Sequence, residues 1–190
     1  MRRHLLCLAA LCTLGAVGCS GGLRLPGMGG PANPQSEPLL APKTALAKDG
    51  PTTPEQDAVL KALEELKTAT KTGFDGLKLD AQPSTVTRMA QTVVAALEKA
   101  PMTGCPNEFQ TAYQKHLKAW KGFATSVGRL PDGAYPAGEF MDSLHGLFKN
   151  DPNRGKVLGG DVVTAVKKVN TTYSELYTVA GGYGIVAEDR

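Results

Sequence analysis

The fold is decided by residues 103–128, which are T-G-C-P-N-E-F-Q-T-A-Y-Q-K-H-L-K-A-W-K-G-F-A-T-S-V-G. Apolar and aromatic side chains recur in this stretch at steps of three and four, the spacing that places them on one stripe of an α-helix. The members of the stripe are Phe109, Ala112, Tyr113, Leu117, Trp120, Phe123, Ala124 and Val127. His116 lies within the same stripe. We therefore predict a long helix from Pro106 to Val127 against which the other helices pack.

The rest of residues 54–190 shows the same helical periodicity. Thr53 and Gln56 have the spacing of a capping box, and Pro54 suits a first helical turn, so a helix is expected to begin there. The predicted helices are separated by glycine and proline signals and span about 54–73, 84–99, 106–127, 140–148 and 161–180. Asp161 can cap the last of them. No segment alternates strictly between apolar and polar residues, so no sheet is expected.

These patterns predict an all-α fold, an antiparallel bundle of three to four main helices plus one short helix. Residues 54–190 are long enough to form one hydrophobic core. Residues 74–83 and 151–160 carry glycine, proline and asparagine and have no clear period, so no element is predicted in them.

The first residues have the layout of a secretory signal peptide. Met1-Arg2-Arg3-His4 is a short basic head, and an apolar run of thirteen residues follows from Leu5 to Val17. Such a run is shorter than the roughly 20 apolar residues that cross a bilayer as a helix. Ala16-Val17-Gly18-Cys19 resembles the lipobox of bacterial lipoproteins, although that family prefers Leu where Ala16 stands here.

The lipobox resemblance implies that residues 1–18 are removed and that Cys19 becomes a diacylated N-terminus. It also implies an exported lipoprotein anchored to a membrane of the bacterial cell envelope, and neutral Ser20 is typical of sorting to the outer membrane. Two alternatives stay open. Residues 5–17 could be a core helix, or the signal could be cleaved without lipidation.

Residues 19–53 have the composition of a tether. They are crowded with glycine and proline and contain no aromatic residue, so they cannot bury enough apolar surface to offset the entropy of ordering them. A flexible coil of this length has an rms reach of about 30 to 35 Å. We expect this flexible segment to hold the helical domain away from the membrane.

The charge of the sequence excludes few classes of function. The formal net charge of the precursor is +3, and loss of Arg2 and Arg3 with the signal leaves +1. Lys115, Lys118 and Lys121 follow one side of the long helix, but no exposed aromatic residues alternate with them. This pattern is typical of a solvated helix face, so nucleic acid is not an expected partner.

The cysteines leave one free thiol in the mature chain. Cys7 and Cys12 lie in the signal segment and Cys19 is the predicted lipidation site, so no intramolecular disulfide can form with Cys105. Cys105 precedes Pro106 and is predicted at the N-cap of the long helix, where the helix dipole could make it a reactive nucleophile. The interpretation that we favour is a small buried apolar residue.

His116 is the other candidate site. It shares a helix flank with Tyr113 and Trp120, three residues before it and four after it. We favour a neutral core histidine bonded to a neighbour, and the alternative is a ligand of haem or a metal, with Met89 as the second ligand. Asp142-x-x-His145 has the spacing of a di-iron bundle motif, but those sites repeat the motif and add carboxylates.

No catalytic residue is predicted. The sequence lacks G-x-S-x-G, a P-loop and H-E-x-x-H. Residues 105–120 are similar to a segment of uncharacterised helical proteins of bacterial envelopes, and that resemblance implies no activity. The sequence therefore predicts a non-enzymatic, lipid-anchored helical envelope protein that binds an envelope protein or polymer or has a structural role. The alternative is a haem- or metal-binding bundle that uses His116.

Overall fold

The computed structural model describes residues 43–46, 52–151 and 157–188. Along the chain the elements are β1 Lys43–Leu46, α1 Pro54–Phe74, α2 Pro83–Glu98, α3 Asn107–Val127, α4 Glu139–Phe148, α5 Gly160–Gly182 and β2 Ile185–Glu188. The predicted all-α class is confirmed, because five helices packed against each other contain most of the described residues. The signal segment, Cys19 and most of the predicted tether lie outside the described residues, as do Pro152 and Asn153.

Neighbouring helices of the bundle run antiparallel, as predicted. Tyr113 near the start of α3 donates to the carbonyl of Leu97 near the end of α2, over 3.4 Å. Arg129, just after α3, lies 3.7 Å from the carboxylate of Asp161 at the start of α5. The bundle closes where Gln56 of α1 donates to the carbonyl of Tyr183 after α5, over 2.9 Å.

The predicted capping box begins α1. The Thr53 hydroxyl accepts from the backbone N–H of Gln56 over 3.2 Å, and the Gln56 side chain accepts from the backbone N–H of Thr53 over 2.9 Å. Two donors that a helix start would leave unpaired are thereby satisfied. The helix continues one residue past Gly73, whose predicted role as its end is therefore correct to within one residue.

The core is centred on α3. All eight apolar members of its predicted stripe are buried, together with His116 and Ala119. α2 and α5 both pack against α3, α4 contributes Phe148 and α1 contributes Phe74. Each of the other four helices therefore meets the buried stripe of α3.

The short helix α4 is attached to α5 by Asn170. Its side-chain amide donates to the carbonyls of Leu147 and Phe148, over 3.1 and 3.3 Å, and to the Asn150 side chain over 2.9 Å. The last carbonyls of a helix lack intrahelical partners, so this amide stabilises the end of α4. Asn150 there has φ +57, a left-handed conformation that asparagine adopts more readily than most residues.

The expectation of no sheet is wrong. β1 pairs antiparallel with β2, with Lys43 opposite Glu188 and Leu46 opposite Ile185. β1 lies within the segment predicted as a tether, so four residues of that segment are extended and hydrogen-bonded. Strands of four residues are too short for a period of two to be recognised, and this pair joins residues that are far apart in sequence.

Two predicted helix starts also need correction. The N-cap of α3 is Pro106, so Cys105 lies one residue before the cap. The N-cap of α5 is Gly159, and no side chain caps that helix. Asp161 instead lies in the first turn of α5, where its carboxylate approaches Arg129. A carboxylate in a first turn is favourable through the helix dipole without being the cap.

Candidate functional site

The buried polar centre of the domain is His116. Its side chain is 1% exposed, and each ring nitrogen has a partner. Trp120, one turn further along α3, donates its indole N–H to Nε2 over 3.1 Å. Nδ1 lies 3.0 Å from the hydroxyl of Thr172 on α5. We call Trp120, His116 and Thr172 the imidazole bridge, because together they connect α3 to α5 across the core.

The partners determine where the protons of the bridge are. An indole N–H can only donate, so Nε2 must be the unprotonated nitrogen, and Nδ1 carries the single proton of the neutral ring. Nδ1–H therefore donates to Thr172 Oγ1. The Thr172 hydroxyl donates in turn to the carbonyl of Lys168 over 2.8 Å, with the carbonyl of Val169 at 3.1 Å. Every donor in this series of hydrogen bonds has an acceptor, as buried polar groups require.

The environment keeps the imidazole neutral. Burial lowers the pKa of His116 to about 4, because a charged ring would lose its hydration without gaining a counter-ion. The bridge acts in the same direction, since a proton on Nε2 would face the indole N–H of Trp120. At neutral pH the group is therefore a hydrogen-bonding core residue and not a cation.

Tyrosines surround the bridge. The ring of Tyr173 lies 5.8 Å from that of His116, and the ring of Tyr177 lies 4.6 Å from that of Tyr173. Tyr113 turns its hydroxyl away from the bridge to the carbonyl of Leu97. Burial raises the pKa of Tyr113, and the charges of Glu65 and Cys105 raise it further. The phenol of Tyr113 is thus held protonated at neutral pH.

The structure brings together some of the residues that the sequence associated with His116. Trp120 bonds to the imidazole, and Tyr113 is buried one turn earlier on the same helix. Met89, the predicted second ligand, packs beside Gly73 of α1, where a Cβ on the glycine would lie 3.5 Å from its Cγ and Sδ. The imidazole instead directs both nitrogens at Trp120 and Thr172.

Sequence reasoning missed Thr172 as a member of the site. One signal for it exists, because Thr172 interrupts the apolar stripe of α5 between Val169 and Leu176, as His116 does in α3. A polar residue on each of two core-facing stripes indicates a pair across the core. The sequence could not tell which of several helices would carry the second member.

Cys105 is buried at 5% exposure, in the turn before α3. Burial raises the pKa of its thiol, because the thiolate would lose hydration. The backbone carbonyl of Cys105 accepts from the side chain of Gln110 over 2.7 Å. These observations favour the small buried residue over the reactive thiol, since reactive cysteines have lowered pKa values and access to solvent.

Over residues 52–151 and 157–188, no group of three or more acidic, histidine or cysteine side chains lies close enough together to hold a metal ion. Asp142 and His145 both lie on α4, in the spacing noted from the sequence.

A surface groove of about 750 Å³ runs between α3 and α5. Hydroxyl groups of Thr171, Ser174 and Thr178 line its α5 side, and Glu108 and Lys115 lie on its α3 side. The hydroxyls of Ser174 and Thr178 already donate to carbonyls of their own helix. The groove surface is more apolar than polar, and side chains of both charge signs lie along it.

The chain matches no protein-family model, no curated protein and no solved structure. In the part of the chain that the structure describes, no helix has the length and apolar character needed to cross a membrane.

Proposed function

We propose that this protein is a lipid-anchored, non-enzymatic helical protein of the bacterial cell envelope, exported and held at the outer membrane or facing the periplasm. Its domain acts as a binding or structural module. The observation that carries the proposal is the order of a basic head, thirteen apolar residues and Gly18-Cys19. Two acyl chains on Cys19 would give stable attachment, whereas a single chain gives marginal binding.

The use of the chemistry-bearing residues supports a non-enzymatic role. His116 has both nitrogens bonded within the core, and Cys105 is buried with a raised pKa. A general base must reach its substrate, and a nucleophilic cysteine must reach the thiolate form. Among the residues that the sequence singled out, these two therefore serve packing and hydrogen bonding.

The partner that we propose is another envelope protein or an envelope polymer. The groove between α3 and α5 is the surface that we would test first, because Lys115 and Glu175 present opposite charges along one accessible channel. Rim charges of this kind contribute to the rate and specificity of association more than to affinity.

The cofactor alternative receives no support from the geometry of His116. Coordination through Nε2 would break the bond from Trp120, and coordination through Nδ1 would displace the proton given to Thr172. The first change leaves the Trp120 N–H without its acceptor and the second leaves the Thr172 hydroxyl without its donor, and a buried polar group without a partner costs about 1 to 3 kcal/mol. We therefore do not propose a haem or metal site at His116 and Met89.

The test is Cys19→Ser in the full-length precursor, expressed in a diderm bacterium with an epitope at the C-terminus. Wild-type protein is expected to incorporate an alkyne-tagged palmitate and to partition into the detergent phase, and the variant is expected to do neither. Cys12→Ser is the matched control, because it removes a thiol from the apolar run and leaves the junction at Cys19 intact.

Mass spectrometry of the wild-type N-terminal peptide separates the alternatives. A peptide that begins at Cys19 with acyl mass supports the proposal. A cleaved chain without acyl mass indicates an ordinary secreted protein, and an uncleaved chain that folds in the cytoplasm indicates a core helix. Either of the last two results would overturn the lipid-anchor proposal.

A further inference from the structure

The imidazole bridge has only one arrangement of protons. The indole N–H of Trp120 can only donate, which sets the direction of every hydrogen bond in the bridge. Trp120 donates to His116 Nε2, His116 Nδ1–H donates to Thr172, and Thr172 donates to the carbonyl of Lys168. A hydroxyl group could rotate and reverse the direction of its hydrogen bond, but the indole N–H of Trp120 cannot. Protonation of Nε2 removes the acceptor that Trp120 uses.

We propose that the imidazole bridge makes the core between α3 and α5 acid-sensitive, because His116 loses the bond from Trp120 when its Nε2 binds a proton. The added proton comes from solvent and displaces the indole N–H of Trp120, leaving a charged ring and an unpaired donor within the core. Nδ1–H can still donate to Thr172, so the cost is the charged ring and the unpaired indole N–H that are buried between α3 and α5.

The groups that face this part of the core do not offer a counter-ion in contact with the ring. α3 contributes Trp120 and Tyr113, and α5 contributes Tyr173. α4 places the uncharged ring of Phe148 on Trp120, with centroids 6.1 Å apart. Burial raises the pKa of both Tyr113 and Tyr177, and the charges of Glu65 and Glu64 on α1 raise it further for Tyr113 and Tyr177 respectively.

The direction of the pH effect follows from how the unfolded and the folded protein bind a proton at His116. The unfolded chain binds a proton at His116 below a pH of about 6.5. The folded chain keeps the ring neutral down to a pKa of about 4. The stabilisation by the neutral ring is therefore complete well above pH 6.5 and is lost as the pH falls through 4, with the folding equilibrium constant decreasing by up to about 300-fold in the limit below pH 4.

The proposal does not depend on lipid anchoring, and both can be tested separately. The full chain, purified in detergent micelles and labelled with ¹⁵N, is examined by NMR correlations within the imidazole ring. At pH 7 we expect His116 to carry its proton on Nδ1 with an unprotonated Nε2. A proton on Nε2 at pH 7 would overturn the proposal directly, whatever the variants show.

The second measurement uses Trp120, which is the one tryptophan of the sequence, as a fluorescent reporter of unfolding. Denaturant titrations of the wild type are repeated from pH 7 to pH 4.5. We expect the midpoint to fall more steeply with acid in the wild type than in His116→Gln, by up to about tenfold in the folding constant per pH unit.

His145→Gln is the matched control, since it removes the other histidine of the helical domain and leaves the bridge intact. It should retain the wild-type pH dependence. Trp120→Phe removes the donor that opposes protonation, and NMR is expected to show a higher pKa for His116 in that variant. Equal acid sensitivity of the wild type and His116→Gln, or an unchanged pKa in Trp120→Phe, would overturn the proposal.

Discussion

Two regions of the core share Trp120 and are held together by different physical interactions. The aromatic cluster consists of Phe74, Trp120, Phe123 and Phe148, whose ring centroids lie 5.4 to 6.2 Å apart. The imidazole bridge uses the polar edge of the same indole to reach His116 and, through it, Thr172. One residue therefore takes part in an apolar cluster from three helices and in a series of hydrogen bonds between two helices.

The aromatic cluster and the imidazole bridge contribute differently to the stability and the specificity of the core. Aromatic packing depends on buried area and shape, which many side chains of similar volume supply. The bridge depends on the identity of each atom, because a donor must meet an acceptor at every step. We expect mutations in the cluster to cost more free energy, and mutations in the bridge to change how stability depends on pH.

The largest effect is expected from Phe148→Ala in the aromatic cluster. Phe148 is buried and contacts the rings of Phe74, Trp120 and Phe123. Removal of a buried phenyl ring costs about 3 to 5 kcal/mol of unfolding free energy. Denaturant titrations at pH 7 and pH 5 should give the same loss relative to wild type. A loss that depends on pH would show that the cluster and the bridge are coupled.

The next effect is expected from His116→Ala. The change creates a cavity and leaves the Trp120 N–H without its acceptor, so we expect a loss of about 1 to 3 kcal/mol at pH 7. The loss should become smaller as the pH falls toward 4, because the wild type then loses the contribution of its neutral imidazole and the variant does not. A difference in unfolding free energy between wild type and variant that stays constant from pH 7 to pH 4.5 would contradict this prediction.

A smaller effect is expected from Thr172→Val, which keeps the shape of the side chain and removes its hydroxyl. The Nδ1–H of His116 then lacks an acceptor, and a buried unsatisfied donor costs about 1 to 2 kcal/mol. Thr172→Ser is the control, since it retains an oxygen at the same position. If the serine variant is less stable than the valine variant, the methyl group matters more than the bridge.

The smallest effect on stability is expected from Cys105→Ala, outside both regions. The side chain is buried but small, so its loss should cost no more than about 1 kcal/mol. In the wild type, a thiol reagent should modify Cys105 slowly in the native state and rapidly after unfolding, because burial raises the pKa of the thiol. Rapid modification of the native protein at neutral pH would favour the reactive-thiol interpretation.

Patterns local in sequence predicted most of the bundle. The stripe of α3, the capping box of Thr53 and Gln56, and the end of α1 near Gly73 follow from spacing within a few residues. They were predictable because helical hydrogen bonds and helix caps connect residues three or four positions apart. The location of His116 on the core face of α3 belongs to the same class of information.

Contacts between distant residues could not be predicted. β1 pairs with β2 across nearly the whole described chain, and Asn170 stabilises the end of α4 from the next helix. The sequence suggested a cap at Asp161, whereas the fold places the Asp161 carboxylate beside Arg129. A polar side chain has several possible partners, and only packing selects one.

The sequence by itself determined that α3 would be a buried helix and that a histidine would lie on its core face, because a period of 3.6 residues assigns each side chain to a face. Only the tertiary structure decided which helix faces His116, and therefore that Thr172 accepts from Nδ1 while Trp120 donates to Nε2. The physical reason is that a helix face is a property of local backbone geometry, whereas a buried hydrogen bond needs two groups within about 3 Å. Only the packing of α5 on α3 creates that proximity.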